Sequence, residues 1–365
     1  MVDAKQDQRF MAAAIRLAKR HLGQTADNPS VGALIVGTDG VTIAGYGVTA
    51  FGGRPHAETQ ALAMAGAHAK GATAYVTLEP CSHYGKTPPC ASALINAGIK
   101  RVVIACLDPD PRVCGRGVEM LRQADIRVDV GVLADAAYEG LSAYLTSKSL
   151  SRAQLTLKMA VSADNGIGMK GQGNVPVSND ISHAISHILR AEHDAIMVGN
   201  RTVIADNPDL TCRLAGLQNR SPVRVVIDQK LSIPPDCQLV KTARTVPTWV
   251  FADNNAQKSK QQEMEQNGVR IIRINSFHDI LRPNDILESL FQNGISSVLL
   301  EGGTKTGQSF FADRAVDKVI LFRSPICLGN GRVLAPDFKK YLADFSRINK
   351  AEFADDDYSE WRYHR

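Results

Sequence analysis

Four residues able to do chemistry lie close together early in the chain. His56-Ala57-Glu58 is followed by Pro80-Cys81 and, after a gap of eight residues, by Cys90. A neutral imidazole and two thiolates are good zinc ligands, and three protein ligands leave the fourth tetrahedral position open to water, the mark of a catalytic ion. Such an ion lowers the pKa of bound water towards neutrality. Glu58 stands beside His56 as a proton carrier: it would take the water proton, protonate a ring nitrogen, then protonate a departing amine. The reaction this suits is hydrolytic loss of an amino group from an electron-poor heterocyclic carbon.

H-x-E followed by P-C is the zinc-deaminase pattern, with a longer gap between the cysteines than the usual P-C-x-x-C. A structural zinc would be expected to recruit a fourth protein ligand, so the catalytic reading is preferred.

A second set of signals lies in the other half. Met197-Val198-Gly199 and Val298-Leu299-Leu300-Glu301-Gly302-Gly303-Thr304 each read as a strand running into glycine before a helix. Glycines let backbone N–H groups approach a phosphate, so the pair suggests a dinucleotide laid across a sheet edge. Gly166-Ile167-Gly168-Met169-Lys170-Gly171 satisfies G-x-G-x-x-G. It is rejected as a dinucleotide fingerprint, because Gly173 and Pro176 prevent a helix from starting behind it; a flexible loop is expected there. His183 and His187 share a helix face, but no glutamate follows His183, so they read as ordinary helix residues.

The elements that position these groups follow from periodicity. In the first half, helices are expected at 8–21, 56–67, 90–97, 117–124 and 135–150. Strands are expected at 31–36 and 41–48, joined by a Thr38-Asp39-Gly40 turn, and at 73–78, 102–106 and 127–130. Strands alternating with helices imply a three-layer α/β sandwich. His56 and Cys81 would then sit at helix N-termini, where the dipole favours thiolate, with the second cysteine entering from the loop that follows. A boundary near 149–152 separates residues 1–148 from 149–365, where the pattern restarts with strand 154–160 and helix 180–192. Asp355-Asp356-Asp357 reads as a turn between late strands.

At 365 residues two domains are the default. The formal charge of +5 suits an anionic small molecule as well as nucleic acid. Seven cysteines form no regular framework, which argues against a secreted disulfide protein; the five outside the metal set (Cys106, Cys114, Cys212, Cys237, Cys327) read as buried small hydrophobes. The N-terminal residues carry no apolar signal-peptide core, and no apolar run is long enough to span a bilayer. A cytoplasmic enzyme with no membrane partner is expected.

Asn28-Pro29-x-Val31-Gly32, His56-Ala57-Glu58, Val76-Thr77-Leu78-Glu79-Pro80-Cys81 and His83-x-Gly85-x-Thr87-Pro88-Pro89-Cys90 closely resemble the deaminase half of a family of bifunctional riboflavin-pathway enzymes. These are the diaminohydroxyphosphoribosylaminopyrimidine deaminase/5-amino-6-(5-phosphoribosylamino)uracil reductases. The match continues through Gly199-x-x-Thr202-Val203-x-x-Asp206-x-Pro208-x-Leu210-Thr211-x-Arg213 and Glu301-Gly302-Gly303. The resemblance implies a cytidine-deaminase-like α/β/α sandwich followed by a dihydrofolate-reductase-like α/β domain, zinc and NADPH as cofactors, a phosphoribosyl-pyrimidine substrate, and a homo-oligomer (dimer or tetramer). Asn28 would contact the pyrimidine, and Lys86-Thr87 would line its pocket. Ala160, Thr202, Asp206 and Gly303 would touch NADPH. Asn174, Arg190, Leu210, Arg213 and Glu301 would touch the substrate, with Arg190 and Arg213 suited to clamp a ribose phosphate. Lys158 would polarise the carbon that accepts hydride. Asn165 and Pro176 stand where the family usually has other residues.

Two rivals make different demands. A nucleic-acid-editing deaminase would want aromatics interleaved with basic residues, yet aromatics are only 6% and none is so placed near the metal set. A zinc-stabilised scaffold would be indifferent to loss of Glu58.

Overall fold

The computed structural model describes residues 4–84, 88–110, 113–278 and 280–364. The chain divides into two compact units, the first ending at Ser151 and the second beginning at Arg152.

The first unit is built on a five-stranded sheet of order β2-β1-β3-β4-β5. Its strands are β1 (Gly32–Val36), β2 (Ile43–Val48), β3 (Thr73–Leu78), β4 (Arg101–Cys106) and β5 (Arg127–Val130). β1 pairs antiparallel with β2 and β3, while β3, β4 and β5 are parallel. The expected turn joins β1 to β2: Asp39 Oδ1 accepts the N–H groups of Val41 and Thr42, both at 3.0 Å.

Five helices cover this sheet: α1 (Ala4–Ala18), α2 (Ala57–Ala65), α3 (Cys90–Asn96), α4 (Arg116–Gln123) and α5 (Ala134–Leu150). Small residues decide how closely they approach. A Cβ on Gly32 would stand 2.1 Å from the Ala14 carbonyl of α1. On the next strand, Cβ atoms on Gly45 and Gly47 would stand 2.2 and 2.1 Å from carbonyls of α2. Gly47 pairs with Ala33 rather than Gly32, and successive residues face opposite ways. α1 and α2 therefore cover opposite faces, which makes the three-layer sandwich.

The second unit holds a nine-stranded sheet of order β11-β10-β9-β8-β14-β6-β15-β18-β17. Its strands are β6 (Gln154–Val161), β8 (Ala195–Gly199), β9 (Val223–Ile227), β10 (Thr248–Asp253), β11 (Arg270–Ile274), β14 (Ser297–Leu300), β15 (Lys318–Arg323), β17 (Phe345–Phe353) and β18 (Asp356–Tyr363). All run parallel except β18 and β17, which close one edge antiparallel. Two short ribbons stand apart: β7 (Gly166–Met169) pairs with β16 (Arg332–Leu334), and β12 (Ser276–Phe277) with β13 (Ile280–Leu281). The helices are α6 (Asp180–Glu192), α7 (Asn200–Asp206), α8 (Gln238–Lys241), α9 (Lys258–Gln266), α10 (Pro283–Gln292), α11 (Thr304–Ala312) and α12 (Phe338–Tyr341).

Strand alternation gives this sheet two apolar faces. Leu155, Leu157, Met197, Val298 and Leu300 join Leu290 of α10 and Phe310 of α11 in one core. Ile196, Val198, Val226 and Val250 join Leu239 of α8 and Met264 of α9 in another. The continuous apolar strands are what burial on both faces requires.

Three expectations need correction. The glycine-rich stretch is not a flexible loop, since residues 166–169 form a strand laddered to β16. Among the five spare cysteines only Cys212 and Cys237 are buried; Cys106 is half-buried, and Cys114 and Cys327 are exposed. The turn expected at 355–357 does join two late strands, β17 and β18, but it is Ala354-Asp355; Asp356 opens β18, fully buried, with Oδ2 accepting the Asn179 N–H at 2.9 Å. No helix among the described residues is long and apolar enough to cross a membrane.

Candidate active sites

His56 caps α2 with an extended backbone, and Glu58 lies in the first turn, 4% exposed. Cys90 is the first residue of α3. Cys81 lies in irregular chain just past β3. The expected placement of the cysteines is thus reversed: Cys90 opens a helix, and Cys81 does not. Pro88 and Pro89 explain this. Proline holds its predecessor in extended backbone, so the helix cannot begin before Cys90. Cys81 still meets the positive end of α3, because the Cys90 N–H donates to its Sγ at 3.3 Å and the Ala91 N–H to its carbonyl at 3.2 Å.

The His56 Nδ1 stands 3.3 Å from the Cys90 Sγ and 3.7 Å from the Cys81 Sγ. All three donor atoms lie within 4.8 Å of one another. Hydrogen bonding from the Cys90 thiol, together with the His56 ring, holds the Cys81 thiol down at about 4. The Cys81 sulfur and burial push the Cys90 thiol up. Burial, then the Cys81 charge, push the Glu58 carboxyl up to about 7. One nitrogen and two sulfurs converging at a largely buried point are the donor set of a tetrahedral zinc with one position to spare, so the residues fit that ion.

Two further residues brace the segments that carry this set. Asn28 packs against Gly53 in the loop leading to His56: a Cβ there would stand 2.2 Å from the Asn28 Nδ2. Glu79, directly before Pro80-Cys81, is buried and accepts four backbone N–H groups, from Asp108 (3.3 Å), Gly115 (3.0 Å), Gly117 (2.9 Å) and Val118 (3.2 Å). It ties the metal-binding turn to the start of α4. In the sequence it was only one letter of a motif, since its partners lie some thirty to forty residues away. Lys86 and Thr87 lie outside the described residues.

The second site is a cleft of about 1470 Å³ at the C-terminal ends of β8, β9 and β14, the usual place for ligands in parallel sheets. It brings together Lys158, Ala160, Asn174, Arg190, Thr202, Asp206, Leu210, Arg213, Glu301 and Gly303. Gly199 caps α7 and Gly303 caps α11. A Cβ on Gly199 would stand 2.8 Å from the Thr306 Oγ1, whereas one on Gly303 would meet nothing within 4 Å. The backbone at Gly303 is therefore bare towards the cleft, a cradle that fits a dinucleotide's phosphates.

Charge is concentrated at one end. Arg190 donates from Nε and Nη2 to the two oxygens of Glu301, both at 2.9 Å, and from Nη1 to the Thr211 carbonyl at 3.0 Å. Most of its fork is thus committed, and Arg213, half-exposed and 3.8 Å from Asp209, is the freer cation for a phosphate. Burial pushes Glu301 up, but Arg190 and Lys158 overcome it and hold the carboxyl at about 2. Burial lowers the pKa of Lys158, with Glu301 acting in the opposite sense. Asn165 takes a left-handed conformation, φ 63°, which asparagine tolerates. Pro176 is exposed.

His183 and His187, on α6, line this cleft, and among the described residues they join no group able to hold a metal. The His187 Nδ1 accepts the Arg213 N–H at 3.3 Å. The available signal was their spacing to Arg190, one turn on along the same face.

Residues 4–106 match the family description "Cytidine and deoxycytidylate deaminase zinc-binding region", and residues 153–347 match "RibD C-terminal domain". The chain is 38% identical over 325 residues to the riboflavin biosynthesis protein RibD of Aquifex aeolicus, covering 89% of this chain and 88% of that protein. Among solved structures it is similar to Acinetobacter baumannii RibD, with a TM-score of 0.86 at 32% identity and full coverage of both chains. It is also similar to a Thermotoga maritima diaminohydroxyphosphoribosylaminopyrimidine deaminase/5-amino-6-(5-phosphoribosylamino)uracil reductase, with a TM-score of 0.84 at 32% identity over 99% of each chain.

Proposed function

Because this chain belongs to the RibD family, whose members are bifunctional deaminase–reductases of riboflavin biosynthesis, we propose how its own residues divide that work. The deaminase removes an amino group hydrolytically from 2,5-diamino-6-(5-phosphoribosylamino)pyrimidin-4-one. The reductase then converts the ribosyl chain to ribityl, giving 5-amino-6-(5-phosphoribitylamino)uracil.

His56, Cys81 and Cys90 hold zinc, which when bound supplies a Lewis acid that acidifies water. Glu58 moves the protons: from water to the pyrimidine ring nitrogen, then to the amine that leaves as ammonia. A carboxyl whose proton affinity is raised towards neutrality can both take and give one. Asn28 orients the ring.

In the second unit Ala160, Thr202, Asp206 and Gly303 contact NADPH, which when bound supplies the hydride. Asn174, Leu210 and Arg213 position the sugar phosphate. Arg190 and Glu301 form a fixed pair beside it, and Lys158 polarises the aldehyde or imine whose carbon accepts hydride and gives its own proton to that group's oxygen or nitrogen. A cytoplasmic location is supported by seven cysteines that form no disulfide. Assembly into a homo-oligomer is supported by the edge strand β2, where Ile43 and Tyr46 are exposed; a solely monomeric species in sedimentation would remove that part.

The observation that carries this reading is the convergence of His56, Cys81 and Cys90 beside a buried Glu58. Purified enzyme incubated with the diaminopyrimidinone phosphate should release ammonia without NADPH and consume NADPH only afterwards. Ammonia release that needs NADPH, or NADPH oxidation before any ammonia, would refute the order.

A further inference from the structure

Lys158 donates a proton in reduction, and its setting makes it a nucleophile as well. It follows Leu157, which is level with Leu300 of β14, so Lys158 and Glu301 adjoin across two parallel strands. Ile320 of β15 flanks it on the other side. The Phe322 ring centroid lies 5.5 Å from Nζ. Both oxygens of Glu301 are engaged by Arg190, and among the described residues Lys158 has no salt bridge or hydrogen bond of its own. The side chain lines the cleft. Burial and the Arg190 charge favour the free amine, while Glu301 favours the ammonium. An amine desolvated beside another cation is the setting in which lysine attacks carbonyl carbons.

The cleft also has the means to bring a carbonyl there. The Arg213 N–H donates to His187 Nδ1 at 3.3 Å, and His187 lies on α6 one turn before Arg190. Arg190 in turn holds Glu301, the neighbour of Lys158. The groups thus run from the freer phosphate cation to the amine without a break. The substrate's sugar phosphate spans this row, with its phosphate at Arg213 and the carbon that accepts hydride at Lys158. A free pentose 5-phosphate has the same span from phosphate to C1. In its open-chain form C1 is an aldehyde, and the molecule brings no pyrimidine nitrogen. A cleft of about 1470 Å³ has room for it, and the nitrogen offered to its C1 is Nζ of Lys158. Holding the two reactants side by side raises their effective concentration far above that of a free amine and aldehyde.

We propose that Lys158 is also a covalent site for open-chain aldose 5-phosphates, which it holds as an imine that blocks the reductase and leaves the deaminase running. This rests on the reductase reading above for the seat of the phosphate. Nζ bonds to C1 and passes one proton to the carbonyl oxygen. That oxygen takes a second proton from solvent and leaves as water, while the nitrogen lone pair closes a protonated imine. No electrons are gained or lost. The new cation stands where the ammonium stood, beside the Glu301 carboxylate, and hydrolysis returns the free enzyme when the sugar phosphate falls.

The test incubates full-length, zinc-loaded enzyme with ribose 5-phosphate and cyanoborohydride, which reduces a protonated imine in place, and maps the labelled peptides by mass spectrometry over time. Lys158 should be labelled about tenfold faster or more than Lys230 and Lys305, which line the same cleft but are exposed. Ribose without phosphate should forfeit that lead, the scale of one charge-assisted contact. Reductase turnover should fall in step with label at Lys158 while ammonia release holds. R213S should slow labelling by ribose 5-phosphate and leave labelling by ribose unchanged. Label spread evenly over the three lysines, equal rates with ribose and ribose 5-phosphate, or no label at Lys158 in enzyme that still reduces its own substrate would overturn the covalent site and leave the reductase standing. No label at Lys158 together with no NADPH-dependent reduction of that substrate would overturn both.

Discussion

Glu58 is buried and Glu301 largely so, and their neighbours drive the two carboxyls in opposite directions. Glu58 meets an apolar setting and a sulfur anion, which raise it to about 7; Glu301 meets a guanidinium and an ammonium, which hold it at about 2. One is fit to trade protons, the other to remain a fixed charge. E58Q should therefore cut deamination by about 10² to 10⁴-fold, the range of general acid–base catalysis, with zinc content by metal analysis and reductase turnover both retained. For Lys158, burial lowers the pKa and Glu301 opposes that, so the ammonium is lost as pH rises, at a pH below the ordinary lysine range. E301Q removes the opposing charge, and the alkaline limb of the reductase pH–rate profile should move to lower pH; a limb that stays in place would exclude Lys158 as the group responsible. The convergence of His56, Cys81 and Cys90 was legible in the sequence because His56 stands two residues before Glu58 and the cysteines are nine residues apart. Glu79 and the histidines of α6 were not, since their meaning depends on partners that only the folded chain supplies.

Among the elements, the approach of α2 to β2 is the most exacting. A methyl group on Gly47 would collide with the carbonyl of Ala57, the residue between His56 and Glu58. G47A should push the start of α2 outward, at about 1–3 kcal/mol for such overpacking, lowering zinc retention against a chelator and slowing deamination but not reduction. At the end of α6, His193 holds the Leu189 carbonyl at 2.7 Å and the Thr156 Oγ1 at 3.2 Å, and burial depresses it to about 4. A histidine less basic folded than unfolded contributes fully above its ordinary value near 6.5, and that contribution is lost as pH falls towards 4. The second unit should lose on the order of 2 kcal/mol over this window, seen as a falling Tm that H193N no longer shows. Strands 73–78 and 127–130 were legible to the residue, because apolar runs bounded by turn residues fix both ends. The β7–β16 ribbon was not, since its partner lies more than 160 residues away.

At the scale of the whole chain, each reaction has its own sheet and its own core. Dialysis against a strong chelator should abolish ammonia release yet leave NADPH-dependent reduction of the already deaminated intermediate unchanged; loss of both would show that the reductase depends on the metal. That the chain holds two such bodies followed from its length and the restart of its strand–helix pattern. The seat of the second site was less legible, because it is assembled from the ends of parallel strands that are consecutive in space but not along the chain. The closeness of the two cysteine sulfurs has one more consequence. With zinc bound, both electron pairs are shielded; once the ion is stripped, two neighbouring thiols, one already ionised, are open to air. Stripped enzyme stored aerobically should take up zinc again only after treatment with a reductant, so handling before assay would decide whether a preparation looks like one enzyme or two.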